Sequence, residues 1–361
     1  MRKTFDEVFE DRTKYGTKVK TDEYKECGAH IIIDQGQEQI AGYTDLEEGL
    51  LEEVPAIIFG DHTRVIKYVD EPFFLGADGV KVLRSKYENA NYKYLYYALK
   101  NANIPNTGYN RHFKWLKEVA IEYPDMDKQA EIVDILDRVT AVIEARQQEL
   151  KKLDELVKAR FVEMFEGKQW QSVSAGSIMH SMRNGMSPSN KGTITERVLT
   201  LSAITHGQFD ATAWKDGLFD ECPPKDKRIS KSDFYMCRGN GNKDLVGTGV
   251  YSSTDMPTLV FPDTVIAASV DEGNICLPFL HYEWKQPAVR RQIEAGARTT
   301  NGTYKVNQKV LSGVEIILPP LALQRQFSDF VAQLDKSKVV VQKALDEAQL
   351  LFDSLMQQYF G

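Results

Sequence analysis

The hydrophobic positions of two long segments recur alternately every four and every three residues, over more than four heptads in each segment. In residues 319–361 the recurring positions are Phe327, Val331, Leu334, Lys338, Val341, Leu345, Ala348, Phe352, Leu355 and Tyr359. In residues 124–165 they are Ile132, Leu136, Val139, Ile143, Arg146, Leu150, Leu153, Val157, Arg160 and Met164. This spacing is typical of a coiled-coil seam, so each segment is predicted to form one long helix. We expect the two apolar stripes to bury each other in an antiparallel pair.

Three basic residues interrupt the stripes. They are Arg146, Arg160 and Lys338. They either fix the register of the pair or extend their charged ends into solvent, and the second is the expectation.

The same two segments belong to an internal repeat. Residues 106–165 match residues 301–360 without a gap, from Asn106 and Asn301 onward. Before each helix an alternating run, VAIEYP at 119–124 and VEIILP at 314–319, predicts a short strand that ends at proline. The protein is therefore predicted to contain two similar halves, which suit a ligand that is itself two-fold.

The remaining segments, 1–123 and 166–318, mix short apolar runs with Gly, Asn and Asp turns. The predicted strands lie at 30–33, 56–60, 80–83, 198–201, 234–237, 258–261 and 264–269. A short helix carries Tyr92, Leu95, Tyr96 and Leu99 on one face, and this spacing favours a core role over base stacking.

The predicted class is α+β, with a mixed α/β domain at 1–123, a central long helix at 124–165, a second mixed domain at 166–318 and a C-terminal long helix at 319–361. The two long helices are expected to pack as an antiparallel coiled coil with pseudo-two-fold symmetry.

Composition narrows the class of protein further. The chain has 361 residues, is 42% hydrophobic and 27% charged, and carries a net charge of −7. These values are ordinary for a globular protein and argue against a generally basic nucleic-acid binder, so any DNA contact must use local loops. No run approaches the ~18 apolar residues of a membrane span, and the cysteines show no CxxC spacing. We expect a cytoplasmic protein with no membrane association and no metal site.

Two loops that follow predicted strands carry side chains suited to reading bases. One contains Asp61, His62, Thr63 and Arg64, and the other contains Arg238, Asn240, Asn242 and Lys243. Arg can pair bidentately with guanine and Asn with adenine. An ordinary turn, with Asp61 capping its loop, is the alternative reading. Lys81, in the neighbouring strand VKVL, is added to the DNA-binding candidates.

A second pair of loops belongs to the repeat itself. NTGYNRHFK at 106–114 supplies Tyr109, Asn110 and Arg111, and NGTYKVNQK at 301–309 supplies Tyr304, Lys305 and Asn307. The turn RNGMSPSNK adds Arg183, Asn184 and Lys191. Amide, hydroxyl and cationic donors at such places commonly grip phosphates. Surface solvation is the alternative, and the repetition favours a function.

Catalytic motifs are weak in this sequence. Asp263, Glu283 and Lys285 have the spacing of a PD…ExK magnesium-dependent nuclease, but Pro262-Asp263 reads as a turn between two strands. No glycine-rich cofactor loop follows a strand. The chain is therefore predicted to be non-catalytic and to hold no cofactor, with a nuclease and a protein-only coiled-coil adaptor as the alternatives.

The order of these segments resembles the DNA-specificity (S) subunit of type I restriction–modification enzymes, the HsdS family. The resemblance rests on IEYPDMDKQAEIVDILD and ILPPLALQRQFSDFVAQLD before the long helices, on IIFGDHTR with GADGVKVL, and on RNGMSPSNK with RGNGNKDLVG. The chain departs from the pattern in its short first domain and in reading YPD where the second copy reads LPP.

The resemblance implies that each target recognition domain reads one half of a bipartite double-stranded DNA site. It also implies that the helices set the spacer between the halves and dock two methyltransferase (M) subunits. These partners would be adenine-specific and would hold S-adenosylmethionine, and restriction (R) motor subunits could join them. This chain would itself remain a non-catalytic subunit.

Overall fold

In the computed structural model, residues 1–76, 78–300 and 302–361 are described. Ala77, in the segment GADGVKVL, and Asn301, the first residue of the second repeat copy, lie outside the described residues. The chain divides into two compact units, which we call unit 1 (residues 1–148 and 342–361) and unit 2 (residues 149–341). Each unit therefore contains part of both long helices.

Unit 1 is a mixed α and β structure. Its strands are β1 (Arg2–Thr4), β2 (Phe9–Asp11), β3 (His30–Ile33), β4 (Gly42–Thr44), β5 (Ala56–Gly60), β6 (Ile66–Val69), β7 (Phe73–Leu75), β8 (Val80–Ser85) and β9 (Ala120–Glu122). Its helices are α1 (Phe5–Val8), α2 (Tyr92–Lys100), α3 (Phe113–Leu116), the first part of α4 (Met126–Phe165) and the last part of α9 (Leu321–Phe360). One antiparallel sheet has the order β2-β8-β5-β6, a second has the order β4-β3-β7 with β3 and β7 parallel, and β1 pairs with β9.

Unit 2 contains more strands. They are β10 (Gln171–Ser174), β11 (Met179–Asn184), β12 (Ile194–Leu199), β13 (Trp214–Phe219), β14 (Arg228–Ile229), β15 (Asp233–Cys237), β16 (Gly239–Asn240), β17 (Gly249–Tyr251), β18 (Met256–Val260), β19 (Val265–Val270), β20 (Arg298–Thr300), β21 (Thr303–Lys305) and β22 (Glu315–Leu318). Its helices are the last part of α4, α5 (Ser202–Thr205), α6 (Leu277–Trp284), α7 (Pro287–Gly296), α8 (Gln308–Ser312) and the first part of α9 (Leu321–Phe360). The sheet orders are β11-β19-β15-β17, β13-β12-β18-β14, β16-β21-β20 and β10-β22.

The two units share one topology. The sheet β2-β8-β5-β6 of unit 1 corresponds strand for strand to β11-β19-β15-β17 of unit 2. The parallel pair β3/β7 corresponds to β12/β18, and β1/β9 corresponds to β10/β22. The long helices begin and end at repeat-equivalent residues, Met126 with Leu321 and Phe165 with Phe360. A repeat that the sequence reveals only over its last part is therefore a repeat of the whole unit.

The long helices run antiparallel, as predicted. In unit 1, Ile132 and Leu136 near the start of α4 share a buried cluster with Phe352 and Met356 near the end of α9. In unit 2 the end of α4 packs against the start of α9. The ring centroids of Phe161 and Phe327 lie 5.4 Å apart there. The predicted α+β class with two long helices in an antiparallel coiled coil is confirmed.

The polar seam residue Lys338 differs from the expectation. Its side chain is only 13% exposed, and its Nζ lies 2.7 Å from Asp154 Oδ1 across the helix pair. The expectation that it extends into solvent is therefore wrong, because a carboxylate on the facing helix is within reach. Arg160 pairs instead within its own helix with Glu163, at 2.7 Å, and its guanidinium lies 5.8 Å from the ring of Phe330.

Other local predictions hold to within a few residues. Leu95 and Leu99 of α2 are fully buried, so the aromatic face of this helix belongs to the core. The strand predicted at 198–201 instead covers 194–199, because Leu201 caps α5 and turns the chain. Within the described residues, every helix is too short or too polar to span a bilayer.

Candidate nucleic-acid interface

The 60–64 loop of unit 1 connects β5 to β6 and is anchored by Asp61. The Asp61 side chain is 4% exposed, and its Oδ1 accepts a hydrogen bond from the backbone N of Phe113 at 2.7 Å. The carbonyl of Asp61 accepts a second bond, from the backbone N of His112, at 2.8 Å. Asp61 therefore joins its loop to the 106–112 loop, which is the capping role left open by the sequence.

His62, Thr63 and Arg64 each contact another segment of unit 1. The hydroxyl of Thr63 donates to the carbonyl of Gln35 at 2.6 Å, and the guanidinium of Arg64 donates to the carbonyl of Ile104 at 3.1 Å. Arg64 is one of two non-glycine residues with positive φ in the described chain, at 62°. The imidazole of His62 stacks on the ring of Tyr109, with 4.8 Å between centroids and 10° between planes. Two loops predicted separately thus form one surface.

The exposed part of this surface comes from the 106–112 loop. Tyr109 is 89% exposed, and Asn110 and Arg111 are exposed beside it. The amide of Asn110 donates to the carbonyl of Thr107, so it also closes the loop. Lys81, in the strand next to β5, is held by Asp11 at 3.1 Å. We call the exposed residues Thr63, Tyr109, Asn110 and Arg111 the unit 1 loop surface.

The corresponding loop of unit 2 follows β15, as the 60–64 loop follows β5. The Arg238 guanidinium donates to the carbonyl of Asp263 at 3.2 Å. The Oδ1 of Asn240 accepts from the backbone N of Asn242 at 2.9 Å, and the Oδ1 of Asn242 accepts from the backbone N of Asp244 at 3.0 Å. Two amides that were candidates for base reading thus stabilise the turn through their Oδ1 atoms, and Lys243 beside them is exposed.

The repeat loop of unit 2 joins this turn through a small sheet. Asn240 of β16 pairs with Tyr304 of β21, and Gly239 pairs with Lys305. Tyr304 is half-buried and Lys305 is exposed. Asn307 accepts a hydrogen bond from the backbone N of Val310 at 2.9 Å, so it caps α8.

One exposed cation was missed from the sequence. Arg298 lies on β20, directly opposite Lys305 of β21, and both are exposed. The run TTNGT at 299–303 is a hairpin signal, since Asn-Gly between β-forming residues favours a two-residue turn, and it could have identified this strand. We call the exposed residues Asn242, Lys243, Arg298 and Lys305 the unit 2 loop surface.

The three candidate residues of the 183–191 turn differ in how far they are available to contact DNA. Arg183 donates to the buried carboxylate of Asp233 and to the carbonyl of Asp226, so it serves the core of unit 2. Asn184 Oδ1 accepts from the side chain of Gln308 at 3.3 Å, which brings it beside the start of α8. Lys191 is exposed.

The three residues of the nuclease alternative have separate partners. The Asp263 carboxylate accepts from Ser187 Oγ at 2.6 Å, and Glu283 Oε1 accepts from the backbone N of Ile317 at 3.1 Å. Lys285 Nζ donates to the carbonyl of Gly207 at 2.8 Å. Burial raises the pKa of Glu283 to about 7. Within the part of the chain that the structure describes, no three His, Cys, Asp or Glu side chains lie close enough to hold a metal ion.

Comparisons of sequence support the resemblance found above. Residues 2–155 match the family model of the type I restriction modification DNA specificity domain. The chain is 29% identical over 182 residues to the EcoR124I/EcoR124II specificity subunit of Escherichia coli, a match that covers 46% of this chain and 45% of that protein. It is 22% identical over 258 residues to the StySPI specificity subunit of Salmonella potsdam, covering 66% and 55%. The chain spans about half the length of these curated relatives.

Comparisons of structure cover the whole chain. The type I S subunit from M. genitalium has a TM-score of 0.62 at 17% identity, covering 100% of this chain and 96% of that one. A chain from a study of complex assembly and conformational transition in a type I restriction–modification system has a TM-score of 0.54 at 16% identity, covering 100% and 97%. At these identities the likeness shows the fold.

The fold is thus that of a specificity subunit, with two topologically equivalent units and two long antiparallel helices. The chain is similar to type I restriction–modification specificity subunits in sequence over part of its length and in fold over its whole length. These relatives give no support to the nuclease or the protein-only adaptor.

Proposed function

We propose that this chain is the DNA-reading subunit of a type I restriction–modification complex, with each unit reading one half of a bipartite target. The observation that carries the proposal is the equivalent pair of joined loops. In unit 1 the loop after β5 contacts the 106–112 loop through the stacking of His62 on Tyr109. In unit 2 the segment after β15 contacts the equivalent repeat loop through the pairing of β16 with β21. The side chains on the two loop surfaces differ, so the two units would read different base sequences.

Exposed cations support DNA as the ligand. Arg111 belongs to the unit 1 loop surface, and Lys243, Arg298 and Lys305 belong to the unit 2 loop surface. Guanidinium and ammonium groups at such positions bind phosphates or the edges of guanine. Because the net charge is −7, these local groups must act against an unfavourable overall field.

The proposal extends to partners that would provide the chemistry. Two methyltransferase subunits would dock on the helix pair, hold S-adenosylmethionine and methylate adenine, and restriction motor subunits could bind this core. The complex would act in the cytoplasm, and the helix pair would set the spacer between the half-sites. This chain would supply no catalytic group of its own.

Matched arginine variants test the two-reader assignment. Arg111→Ala in unit 1 and Arg298→Ala in unit 2 would be compared in complex with the methyltransferase subunits, with Lys20→Ala as a control for an exposed cation outside the long helices and both loop surfaces. Binding would be measured to the intact target and to targets with either half scrambled. Loss of a base contact costs about 1–3 kcal/mol of discrimination, which is roughly 5- to 150-fold in the ratio of the two affinities.

We expect Arg111→Ala to reduce discrimination in one half only and Arg298→Ala in the other, with the control unchanged. Equal loss in both halves from either variant would contradict the two-reader assignment. Incubating the purified chain alone with DNA and Mg²⁺ separates this proposal from a nuclease, since a specificity subunit cuts nothing.

A further inference from the structure

Tyr109 presents an aromatic ring to solvent and stacks on a second ring. The side chain is 89% exposed, yet one face of the ring is covered by the imidazole of His62, with 4.8 Å between the centroids and 10° between the planes. A ring that is stacked on one side and open on the other is a prepared stacking platform. Little side-chain entropy remains to be lost when a second ring binds.

The imidazole beneath Tyr109 is itself fixed. Its Nδ1 lies 3.2 Å from the carbonyl of Asn110, and the backbone N of His62 donates to Gln35 Oε1 at 3.2 Å. The amide of Gln35 donates in turn to the carbonyl of Asp78 at 3.0 Å. His62 therefore supports the tyrosine ring from a residue that is hydrogen-bonded on both its ring and its backbone.

The loop that carries Tyr109 is anchored by the buried His112 and has open space around Gly108. The ring of His112 is fully buried, with its Nδ1 3.0 Å from the carbonyl of Asp61. Gly108, the residue before Tyr109, has φ of 77°, and a Cβ built there would meet nothing within 4 Å. A left-handed residue without a side chain lets this turn approach a surface closely.

The repeat-equivalent tyrosine of unit 2 lacks this arrangement. Tyr304 is half-buried in β21, where it pairs with Asn240 and with Thr299 on either side. The protruding ring is therefore a property of unit 1, and any function built on it makes the two units unequal.

We propose that the ring of Tyr109 inserts beside an unstacked base in the DNA half-site read by unit 1. This inference rests on the proposed function. In duplex DNA the faces of the bases are covered, so a stacking ring reaches one only by opening a base step, as wedge residues of other DNA-binding proteins do. Asn110 and Arg111, the next two residues, are exposed and supply a polar and a cationic group that can contact the DNA backbone beside the opened step. The sequence alone suggested that the tyrosine hydroxyl contacts a phosphate. Stacking and phosphate contact predict different effects of the same substitution, Tyr109→Phe.

The test uses the chain in complex with its methyltransferase partner and a duplex that carries the mapped target. Each purine of the unit 1 half-site is replaced in turn by 2-aminopurine, whose fluorescence rises when it loses its stacking neighbour. Tyr109→Ala, Tyr109→Phe and His62→Ala are compared, with Tyr15→Ala as the control for an exposed tyrosine outside the loops, since Tyr15 is 58% exposed. A base flipped by the methyltransferase gives the same signal in all variants and is subtracted.

We expect a fluorescence rise at one step of the half-site that Tyr109→Ala abolishes and Tyr109→Phe retains. Tyr109→Ala should weaken binding about tenfold, in the range found for loss of one base–aromatic stack. His62→Ala should weaken it less, about threefold, because the ring loses its support and keeps its face. Melting temperatures should be unchanged for Tyr109→Ala, since the residue is exposed.

Two results would overturn the inference and leave the proposed function intact. One is target binding by the unmodified complex without a Tyr109-dependent rise at any position. The other is Tyr109→Phe behaving like Tyr109→Ala, which would assign the role to the hydroxyl and a phosphate. Failure of the unmodified complex to prefer any target would instead overturn the proposed function, and this inference with it.

Discussion

At the scale of single residues, several side chains with suitable chemistry for DNA hold their own loops. Asp61, Arg183 and Asn307 all bond to backbone or carboxylate groups within their unit. Arg64 and Arg238 donate to carbonyl groups of neighbouring segments. These residues fix the loops that present the exposed Tyr109, Arg111, Lys243, Arg298 and Lys305. A rigid loop is a requirement for base reading, because recognition loses affinity for every group that must be ordered on binding.

Arg64 allows its backbone and side-chain roles to be separated. Both Arg64→Ala and Arg64→Gly remove the bond to the Ile104 carbonyl, but only glycine relieves the left-handed backbone at φ 62°. We therefore expect Arg64→Gly to be more stable than Arg64→Ala by about 1 kcal/mol, as measured by chemical denaturation. Equal stability of the two variants would show that the loop has another backbone conformation in solution.

Glu283 gives a pH-dependent prediction. Burial raises its folded-state pKa to about 7, above the usual 4.5, so the folded protein binds more protons than the unfolded chain between these values. Its stabilising contribution is fully present below pH 4.5 and is lost as the pH rises toward 7. Glu283→Gln should therefore gain stability relative to the unmodified protein over this range, by about 1–3 kcal/mol at pH 8. Denaturation curves at several pH values would measure it, and a pH-independent difference would contradict the assignment.

Two ionisable residues close to Glu283 in the sequence, His281 and Lys285, also have shifted pKa values and affect stability within the same pH range. Burial, with the charge of Lys285 nearby, lowers the pKa of His281 to about 3, and burial lowers that of Lys285 to about 8. Both groups are present in the unmodified protein and in Glu283→Gln, so the difference between the two isolates the carboxyl group.

At the scale of elements, the long helices start in the same way in both repeat copies. Gln129 and Gln324 occupy equivalent positions and are fully buried. Each side-chain amide donates to the carbonyl of the proline five residues earlier, Pro124 at 2.9 Å and Pro319 at 2.8 Å. Gln324 makes two further bonds in unit 2, accepting from the backbone N of Cys276 at 2.9 Å and donating to the carbonyl of Asn274 at 3.1 Å.

The two glutamines form a matched pair for mutation. Gln324→Leu leaves more buried polar groups without partners than Gln129→Leu does, and each such group costs about 1–3 kcal/mol. We expect Gln324→Leu to destabilise unit 2 by about 2–4 kcal/mol and Gln129→Leu to destabilise unit 1 by about 1–2 kcal/mol. Hydrogen exchange at the starts of α9 and α4 would measure both, and the reverse order would contradict the hydrogen-bond account.

The ion pair between Lys338 and Asp154 gives a second prediction for the long helices. Their pairing at 2.7 Å joins the two helices in unit 2, and Asp335 lies 3.6 Å from Lys338 on the same helix. Because Asp154 is 59% exposed, solvent screening limits the interaction. A double-mutant cycle of Lys338→Met and Asp154→Ala should give a coupling of about 0.5–1 kcal/mol. A coupling of zero would mean that the lysine serves the seam only through its alkyl chain.

At the scale of the whole molecule, α4 passes from unit 1 to unit 2 after Gln148 and α9 returns after Val341. Inserting seven residues at both points keeps the heptad phase and every helix pairing within each unit. If the helices set the spacer as proposed, the paired insertion adds about 10 Å, or about three base pairs, to the DNA spacer. Mapping of methylated adenines would measure this, with both half-site sequences expected to stay the same.

The matched control is the seven-residue insertion in α4 alone. It changes the length of one helix only, so we expect it to disrupt the pairing and the assembly of the complex. A paired insertion that left the spacer unchanged would rule out the helices as the element that sets it.

The sequence by itself determined the long helices and most strands, because these depend on local periodicity. It determined the antiparallel pairing of the helices through the repeat, because a two-fold relation between the halves places one globular unit at each end. The stripe that runs through Phe327 and Phe352 has to be buried, and the matching stripe of α4 was visible in the sequence. It also carried the family resemblance, since that depends on the order of segments.

Only the tertiary structure decided which loop residues are free to meet DNA. Composition made Asp61 and Tyr109 equal candidates, but one is 4% exposed and the other 89%. The difference arises because a polar side chain binds whichever backbone group folding brings near it, and those groups come from distant segments. The repeat of the whole unit was also hidden, because a sheet topology is preserved by hydrogen bonds of the backbone, whatever side chains its strands carry.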